Sequence, residues 1–189
     1  MKIKKLLFAS ALLFSAYNAS AQTQVIAHRG FWKTEGSAQN SIAALLKADS
    51  IGCYGSEFDV WLAADDQLVV NHDPTFKGKR MENSPSTALT AIKLDNGESL
   101  PTLAKYLKAA QPLHTRLILE LKAHSTPLRE TKAIEKIVAL VKDMGLEERM
   151  EYITFSLHAT KEFIRLAPEG TPVYYLDGNL SPKELKELG

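Results

Sequence analysis

The stretch Arg116-Leu117-Ile118-Leu119-Glu120-Leu121-Lys122 decides the fold class, because it has the length and apolar content of a buried β-strand. A strong helix pattern follows it. Thr126 is a suitable N-cap, Pro127 suits the first helical position, and Gly145 is a stop signal. A second strand pattern covers residues 152–157. A strand, a helix and a strand in succession are typical of a parallel sheet in an α/β fold.

The same alternation extends in both directions along the chain. We predict further strands at 24–27, 57–62, 68–70 and 172–176, and further helices at 40–52, 101–110 and around 163–166. The segment 75–99 has a weak, polar pattern, which predicts an excursion with little regular structure. Six strands separated by helices therefore indicate a mostly parallel sheet.

The first 21 residues have the pattern of a secretory signal peptide. They contain a basic start, an apolar run from Leu6 to Ala16 and the small-residue cleavage site Ala19-Ser20-Ala21. Cleavage would leave one domain at 22–189 and place the protein in the periplasm or outside the cell. The single cysteine, Cys53, cannot form an internal disulfide and is not placed to carry a lipid anchor.

Composition excludes several classes of function. Removal of the three lysines in the signal segment changes the net charge from +1 to −2. A charge near zero without a basic run argues against nucleic acid or an anionic membrane surface as the main partner. No apolar run of about 18 residues remains after cleavage, so we predict no membrane span. With 45% hydrophobic and 24% charged residues, the chain is not of the disordered class.

Charged and imidazole side chains stand at or near the predicted carboxyl ends of the first four strands. They are His28 and Arg29 after strand one, Glu57 and Asp59 on strand two, His72 and Asp73 after strand three, and Glu120 and Lys122 on strand four. Because the carboxyl ends of parallel strands meet at one face, we expect these groups to converge in an active site.

Three of these groups are candidate metal ligands. Glu57 and Asp59 are two residues apart, so they point to the same side of their strand. Together with Glu120 they would repel one another unless a positive charge lies between them. Oxygen-only ligands suit Ca²⁺ or Mg²⁺ rather than Zn²⁺. We therefore expect one divalent cation at this position.

The remaining groups suit phosphoryl chemistry. His28 and His72 are candidates for a general acid and a general base, because imidazole titrates near neutral pH. Arg29 can bind phosphate oxygens, and Lys122 can neutralise developing negative charge. This combination indicates chemistry on a phosphodiester. The other histidines have no such partner in the sequence, and we interpret them as loop or surface residues: His114, His124 and His158.

Taken in order, the motifs resemble the glycerophosphodiester phosphodiesterase family. They are His28-Arg29-Gly30, Glu57-x-Asp59, His72-Asp73 and Glu120-x-Lys122, joined by Leu100-Pro101-Thr102-Leu103 and by Ser156 on predicted strand five. The resemblance covers about residues 25–178. It implies a metal-dependent TIM barrel that hydrolyses a glycerophosphodiester, a small-molecule partner, to glycerol 3-phosphate and an alcohol. It also implies roles: His28 and His72 as the catalytic pair, Arg29 and Lys122 as phosphate-binding residues, and Glu57, Asp59 and Glu120 as metal ligands.

Two features depart from the family pattern. The family often has Pro-Glu-Asn-Thr before the first helix, where this chain has Ala38-Gln39-Asn40-Ser41, so Gln39 replaces a carboxylate near the site. The second departure is length, because a TIM barrel typically needs about 250 residues. Ser181-Pro182-Lys183-Glu184 is a capping box that predicts a helix starting close to the last residue. We expect a barrel truncated after about six strands, which folds poorly alone or self-associates through apolar edge strands.

Two alternative functions stay open at this point. A phosphatidylinositol-type phospholipase has a similar barrel and a similar histidine pair. A binding protein could retain the phosphate-binding groups without turnover.

Overall fold

The computed structural model describes residues 23–187 and shows an α/β fold built on a six-stranded sheet. The strands of this sheet are β1 (Ile26–Ala27), β2 (Gly55–Leu62), β3 (Leu68–Val70), β6 (Arg116–Leu121), β7 (Met150–Thr154) and β8 (Val173–Tyr175), and a separate hairpin contains β4 (Thr75–Phe76) and β5 (Lys79–Arg80). The predicted signal peptide lies outside the described residues.

Helices alternate with these strands, as the sequence predicts. They are α1 (Ile42–Ser50), α2 (Ser86–Thr90), α3 (Leu103–Ala110), α4 (Pro127–Asp143), α5 (Leu157–Leu166) and α6 (Pro182–Glu187), with short 3₁₀ turns at Met81–Asn83 and Glu147–Arg149. The predicted N-cap Thr126 is confirmed, since its hydroxyl accepts a hydrogen bond from the backbone N–H of Arg129. The capping box is also confirmed, because Ser181 and Glu184 exchange hydrogen bonds.

The strand order of the sheet is β1-β2-β6-β7-β8, with every neighbouring pair parallel. β3 pairs with the end of β2 and runs antiparallel to it. Our prediction that strand three ends at the same face as the parallel strands is therefore wrong. Only residues 63–67 separate β2 from β3, which is long enough for a hairpin and too short for a crossover.

The two faces of β2 and β6 have different environments. Phe58 and Val60 on β2, and Leu119 on β6, point to the face covered by helices and are fully buried there. Ile134 of α4 and Phe163 of α5 belong to the same apolar cluster. The alternate residues of these strands point to the opposite face, where the candidate site lies.

The excursion at 75–99 contains more structure than we predicted. Besides β4, β5 and α2, it contributes Met81 and Leu89 to a second apolar cluster with Trp61 of β2. Glu98, at its end, accepts hydrogen bonds from the first two backbone N–H groups of α1, those of Ile42 and Ala43. The excursion therefore fixes the start of the helix that follows the His28-Arg29 motif.

One local assignment also needs correction. Ser156 is the N-cap of α5, where its hydroxyl accepts from the N–H of Ala159, and is not on the fifth predicted strand.

Between residues 23 and 187, no helix combines the length and the apolar character that crossing a bilayer requires.

Candidate active site

Strand register brings the three carboxylates together. Asp59 of β2 lies directly opposite Glu120 of β6, and Glu57 precedes Asp59 by two residues on the same face. One oxygen of each carboxylate lies within 4.8 Å of the others, and all three residues are buried. The sequence analysis expected all three carboxylates at this position, and the β2–β6 register is what places Glu120 opposite Asp59.

The two histidine motifs reach this cluster from opposite directions along one edge of β2. Ala27 of β1 pairs with Ser56, and the chain continues to His28 beside Glu57. β3 runs the other way and brings Asn71 next to Asp59, where the Asn71 N–H donates to the Asp59 carbonyl at 3.0 Å. The antiparallel direction of β3 therefore places the His72 motif beside the carboxylates.

His28 and His72 differ in how they are held. His28 is mostly exposed, and its Nε2 is 3.9 Å from Glu57 Oε2. Partial burial and the positive charge of Arg29 lower the pKa of His28. The His72 ring is fixed by its Nδ1, which is 2.8 Å from Asp73 Oδ1. With Nδ1 engaged in this way, Nε2 is the ring nitrogen of His72 that is left for contact with a ligand.

Arg29 contacts the cluster through its backbone and its side chain. Its N–H donates to Glu57 Oε2 at 2.7 Å, and its Nε is 3.9 Å from Asp59 Oδ2. Arg29 has a φ of 60° and Gly30 a φ of 74°, so the backbone turns through the left-handed region here. A Cβ at Gly30 would lie 2.6 Å from the Cβ of Ala44 on α1, which leaves room only for glycine.

Asn40 is a site residue that we did not predict as one. Its Nδ2 donates to Asp59 Oδ2 at 2.8 Å, and its Oδ1 accepts from the Asp59 N–H at 3.1 Å. Asn40 is buried and has a φ of 60°, which asparagine tolerates better than most residues. We predicted that the first helix begins at Asn40, but its N-cap is Ser41, whose hydroxyl accepts from the Ala44 N–H. A positive φ cannot be read from the sequence, although Asn is the residue type that favours it.

Lys122 supplies a second positive charge. Its Nζ is 2.7 Å from Glu120 Oε1 and 3.3 Å from Asp59 Oδ1. Burial raises the pKa of Glu120, and the hydrogen bond from Lys122 opposes that rise. Burial and the negative charge of Asp59 raise the pKa of Glu57 to about 8. Two cations do not balance three crowded carboxylates, so Glu57 favours its protonated form.

The cluster fits a divalent cation. Glu57 Oε1 is buried and has no hydrogen-bond partner within the described part of the chain. A buried carboxylate oxygen without a donor is costly unless a ligand contacts it. All three groups are hard oxygen donors, as Ca²⁺ and Mg²⁺ require. A divalent cation would also reverse the excess negative charge.

A cleft of about 230 Å³ is lined by Asn40 and Asn71, the two residues that hydrogen-bond to Asp59. His72 and Asp73 form part of its wall, and Trp32, Gln39 and Phe76 form other parts. The cleft is open to solvent beside the side chain that we predicted as a catalytic histidine. It therefore provides space next to the carboxylates for a small ligand.

The other histidines lie away from this cluster. His114 is exposed, as predicted. His124 is half-buried and neutral: its Nε2 accepts from the Leu62 N–H at 2.9 Å, and its Nδ1 donates to the Lys122 carbonyl. Burial lowers the pKa of His124. His124 is therefore a loop residue, one of the two interpretations we gave it, and its hydrogen bonds support the loop after β6. His158 is half-buried and contacts Thr131.

Known proteins resemble this chain in sequence and in fold. A glycerophosphodiester phosphodiesterase from Caldanaerobacter subterraneus subsp. tengcongensis is 30% identical over 161 residues, which are 78% of this chain and 64% of that relative. A glycerophosphodiester phosphodiesterase from Parabacteroides distasonis, known from a crystal structure, is 55% identical to this chain in sequence. The two structures superpose with a TM-score of 0.85, and the match covers 87% of this chain and 69% of that one. No protein-family model matches the chain.

A third similar protein has a bound product. A phosphodiesterase from Oleispira antarctica, solved with the product sn-glycerol-3-phosphate, is 25% identical with a TM-score of 0.73 over 88% of this chain and 70% of that one. These similar proteins are TIM barrels. This chain has the same kind of parallel sheet covered by helices, but its sheet contains only about six strands. The chain spans slightly less than two thirds of the Caldanaerobacter relative's length. At 55% identity to a solved member, the chain belongs to the glycerophosphodiester phosphodiesterase family.

Proposed function

We propose that this protein hydrolyses glycerophosphodiesters to glycerol 3-phosphate and an alcohol. The observation that carries the proposal is the meeting of two imidazoles and two cations on a buried triad of carboxylates. Charged groups this concentrated are unfavourable for folding unless a ligand compensates them. Membership of the family gives that ligand its chemical class.

Glu57, Asp59 and Glu120 are the proposed ligands of one divalent cation, Ca²⁺ or Mg²⁺. When bound, such an ion stabilises negative charge on phosphoryl oxygens as a Lewis acid. Asn40 fixes the Asp59 carboxylate through two hydrogen bonds. Arg29 and Lys122 flank the same carboxylates and are the proposed partners of the remaining phosphate oxygens.

His28 and His72 are the proposed acid–base pair. One imidazole removes the proton from the attacking hydroxyl, and the other protonates the leaving alcohol. Attack by water gives glycerol 3-phosphate directly. Attack by the glycerol hydroxyl of the substrate gives a cyclic phosphate, which water then opens to the same product. Asp73 holds the His72 ring through Nδ1, so that Nε2 carries the transferred proton. The cleft beside His72 has room for the part of the substrate beyond the phosphate.

The first experiment measures hydrolysis of glycerophosphocholine by the protein with Ca²⁺, with Mg²⁺ and with a chelator. We expect activity with at least one ion and its loss on chelation. Activity that survives chelation would contradict the metal assignment. A parallel assay with phosphatidylinositol tests the phospholipase alternative. Binding of glycerol 3-phosphate without hydrolysis of either substrate would instead support the non-catalytic alternative.

A second experiment tests the histidine pair. His28→Ala and His72→Ala are each assayed on a diester with an alkyl leaving group and on one with a nitrophenyl leaving group. A nitrophenolate leaves without a proton, so the variant that lacks the general acid should recover activity on the nitrophenyl substrate. We expect this recovery in only one variant. Near wild-type turnover of the alkyl diester by either variant would refute the paired mechanism.

Export is part of the same proposal. The basic start, the apolar run and the small-residue site of residues 1–21 support a cleaved signal peptide, and therefore a periplasmic or secreted protein. N-terminal sequencing of the protein from the native host should begin at residue 22. A mature protein that still starts at Met1 would contradict export by this route.

A further inference from the structure

Arg29 differs from Arg116 and Arg129 in the side chain that holds it. A fourth half-buried arginine, Arg149, donates to backbone carbonyls. Arg116 pairs with the carboxylate of Glu151, and Arg129 pairs with that of Glu82. Arg29 Nη1 donates instead to Gln39 Oε1 at 2.6 Å. A guanidinium has only N–H donors, so the contacting atom of Gln39 is its carbonyl oxygen. The amide orients the guanidinium without cancelling its charge.

The remaining donors of Arg29 have no assigned protein acceptor. Its Nε is buried and has no hydrogen-bond partner among residues 23–187. The carboxylate nearest to this nitrogen is Asp59, at 3.9 Å, and Asp59 is shared with Lys122 and Asn40. A buried donor without an acceptor, next to the carboxylate triad, points to an anionic ligand at this position.

Resting on the proposed function, we propose that Gln39 is a positioning residue that sets how strongly the site distinguishes phosphate monoesters from diesters. The diester substrate has one negative charge, whereas the monoester product has two near pH 8. The interaction energy with a fixed charge scales with the charge of the ligand. Compared with a carboxylate at position 39, a neutral residue there therefore strengthens binding of the monoester more than binding of the diester.

The test compares wild type, Gln39→Glu and Gln39→Ala at pH 8 with the activating ion present. Glycerol 3-phosphate is titrated by calorimetry, and the affinity for glycerophosphoglycerol is taken from KM, or from the same titration if the diester is not hydrolysed. Since residue 39 is exposed, Gln39→Glu should weaken binding of the diester about threefold and of the monoester about tenfold. The monoester-to-diester ratio of dissociation constants should therefore rise about threefold.

Gln39→Ala separates positioning from charge. It frees Arg29 without adding a negative charge, so both ligands should bind more weakly, the doubly charged monoester more so than the diester. The ratio should therefore rise, but by less than in Gln39→Glu. Gln67→Glu, in the exposed turn between β2 and β3, adds the same charge away from the site and should change neither affinity. An unchanged ratio in Gln39→Glu would overturn the inference, as would a wild type that binds neither ligand. A wild type that binds both and hydrolyses neither would overturn the proposed function alone.

Discussion

Two charged clusters lie on the same face of the same strands, and they are built differently. The first is the carboxylate triad with Arg29 and Lys122. The second, toward the amino ends of the strands, joins Glu151 of β7 to Arg116 of β6 and to the hydroxyl of Tyr54. Ile118 separates the two, since it lies between Glu57 and Glu151 in the sheet register.

The difference between the clusters is one of balance. In the Glu151 cluster, one carboxylate meets one guanidinium, and the guanidinium also donates to the carbonyl of Glu148. In the triad, three carboxylates meet two cations, and an oxygen of Glu57 has no partner within residues 23–187. In a balanced buried pair the attraction offsets the cost of desolvation, whereas an unbalanced cluster lowers stability until a ligand completes it. The first arrangement is structural and the second indicates a binding site.

The largest expected effect comes from Glu57→Gln, which removes the imbalance. We expect divalent-ion affinity and hydrolysis to fall at least about 100-fold, because loss of even an outer partner of a metal ligand costs about 10- to 100-fold. Thermal stability, measured at pH 8 in the presence of a chelator, should stay the same or increase, because a buried carboxylate has been removed. A variant that loses stability together with activity would show that Glu57 is a structural residue.

Arg116→Met tests the balanced cluster. It leaves the buried Glu151 carboxylate without its cation and should destabilise the protein by about 2 kcal/mol, less than for a fully buried pair because Arg116 is partly exposed. Denaturant unfolding measures this change. Activity per folded molecule should not change. Because Arg116→Met/Glu151→Gln removes the unpaired charge, it should recover part of the loss, and no recovery would contradict the ion-pair explanation.

Asn40 variants test how the triad is held. Asn40→Gly and Asn40→Ala both lose the two hydrogen bonds to Asp59, so each should bind the activating ion about tenfold more weakly. Only alanine adds backbone strain at φ 60°, which should cost about 1 kcal/mol more in unfolding experiments. Equal stability of the two variants would contradict a strained backbone at this position.

The last expected effect is the pH dependence of metal binding, which reflects a single proton. The pKa of Glu57 is raised to about 8, so ion binding must release a proton below that pH. Affinity measured by calorimetry should rise with pH, by at most about tenfold per unit, and level off above about pH 8. Without the ion, stability should fall as pH rises from about 5 to 8, because an unfolded glutamate ionises at lower pH than the folded one. A flat profile in both measurements would contradict the pKa.

Sequence reasoning predicted the parts of this site that depend on spacing within one strand. The two-residue spacing places Glu57 and Asp59 on one face, and the helix signals at Thr126 and Ser181 are local as well. The direction of β3 was predicted wrongly, although the five-residue connection before Leu68 was a readable signal for a hairpin. Asn40 was missed because its role depends on contact with Asp59, 19 residues away, and on a positive φ. The opposition of Asp59 and Glu120 is likewise a long-range register that no local pattern contains.

The close contact between Gly30 and Ala44 has a consequence for how this protein can vary. Gly30 follows the His28-Arg29 motif beside the carboxylate triad, and the backbone of α1 lies against it without space for a methyl group. Any side chain at residue 30 would move either the helix or Arg29. Laboratory evolution of substrate preference should therefore find tolerated changes around the cleft, at Trp32 or Phe76, and almost none at residue 30.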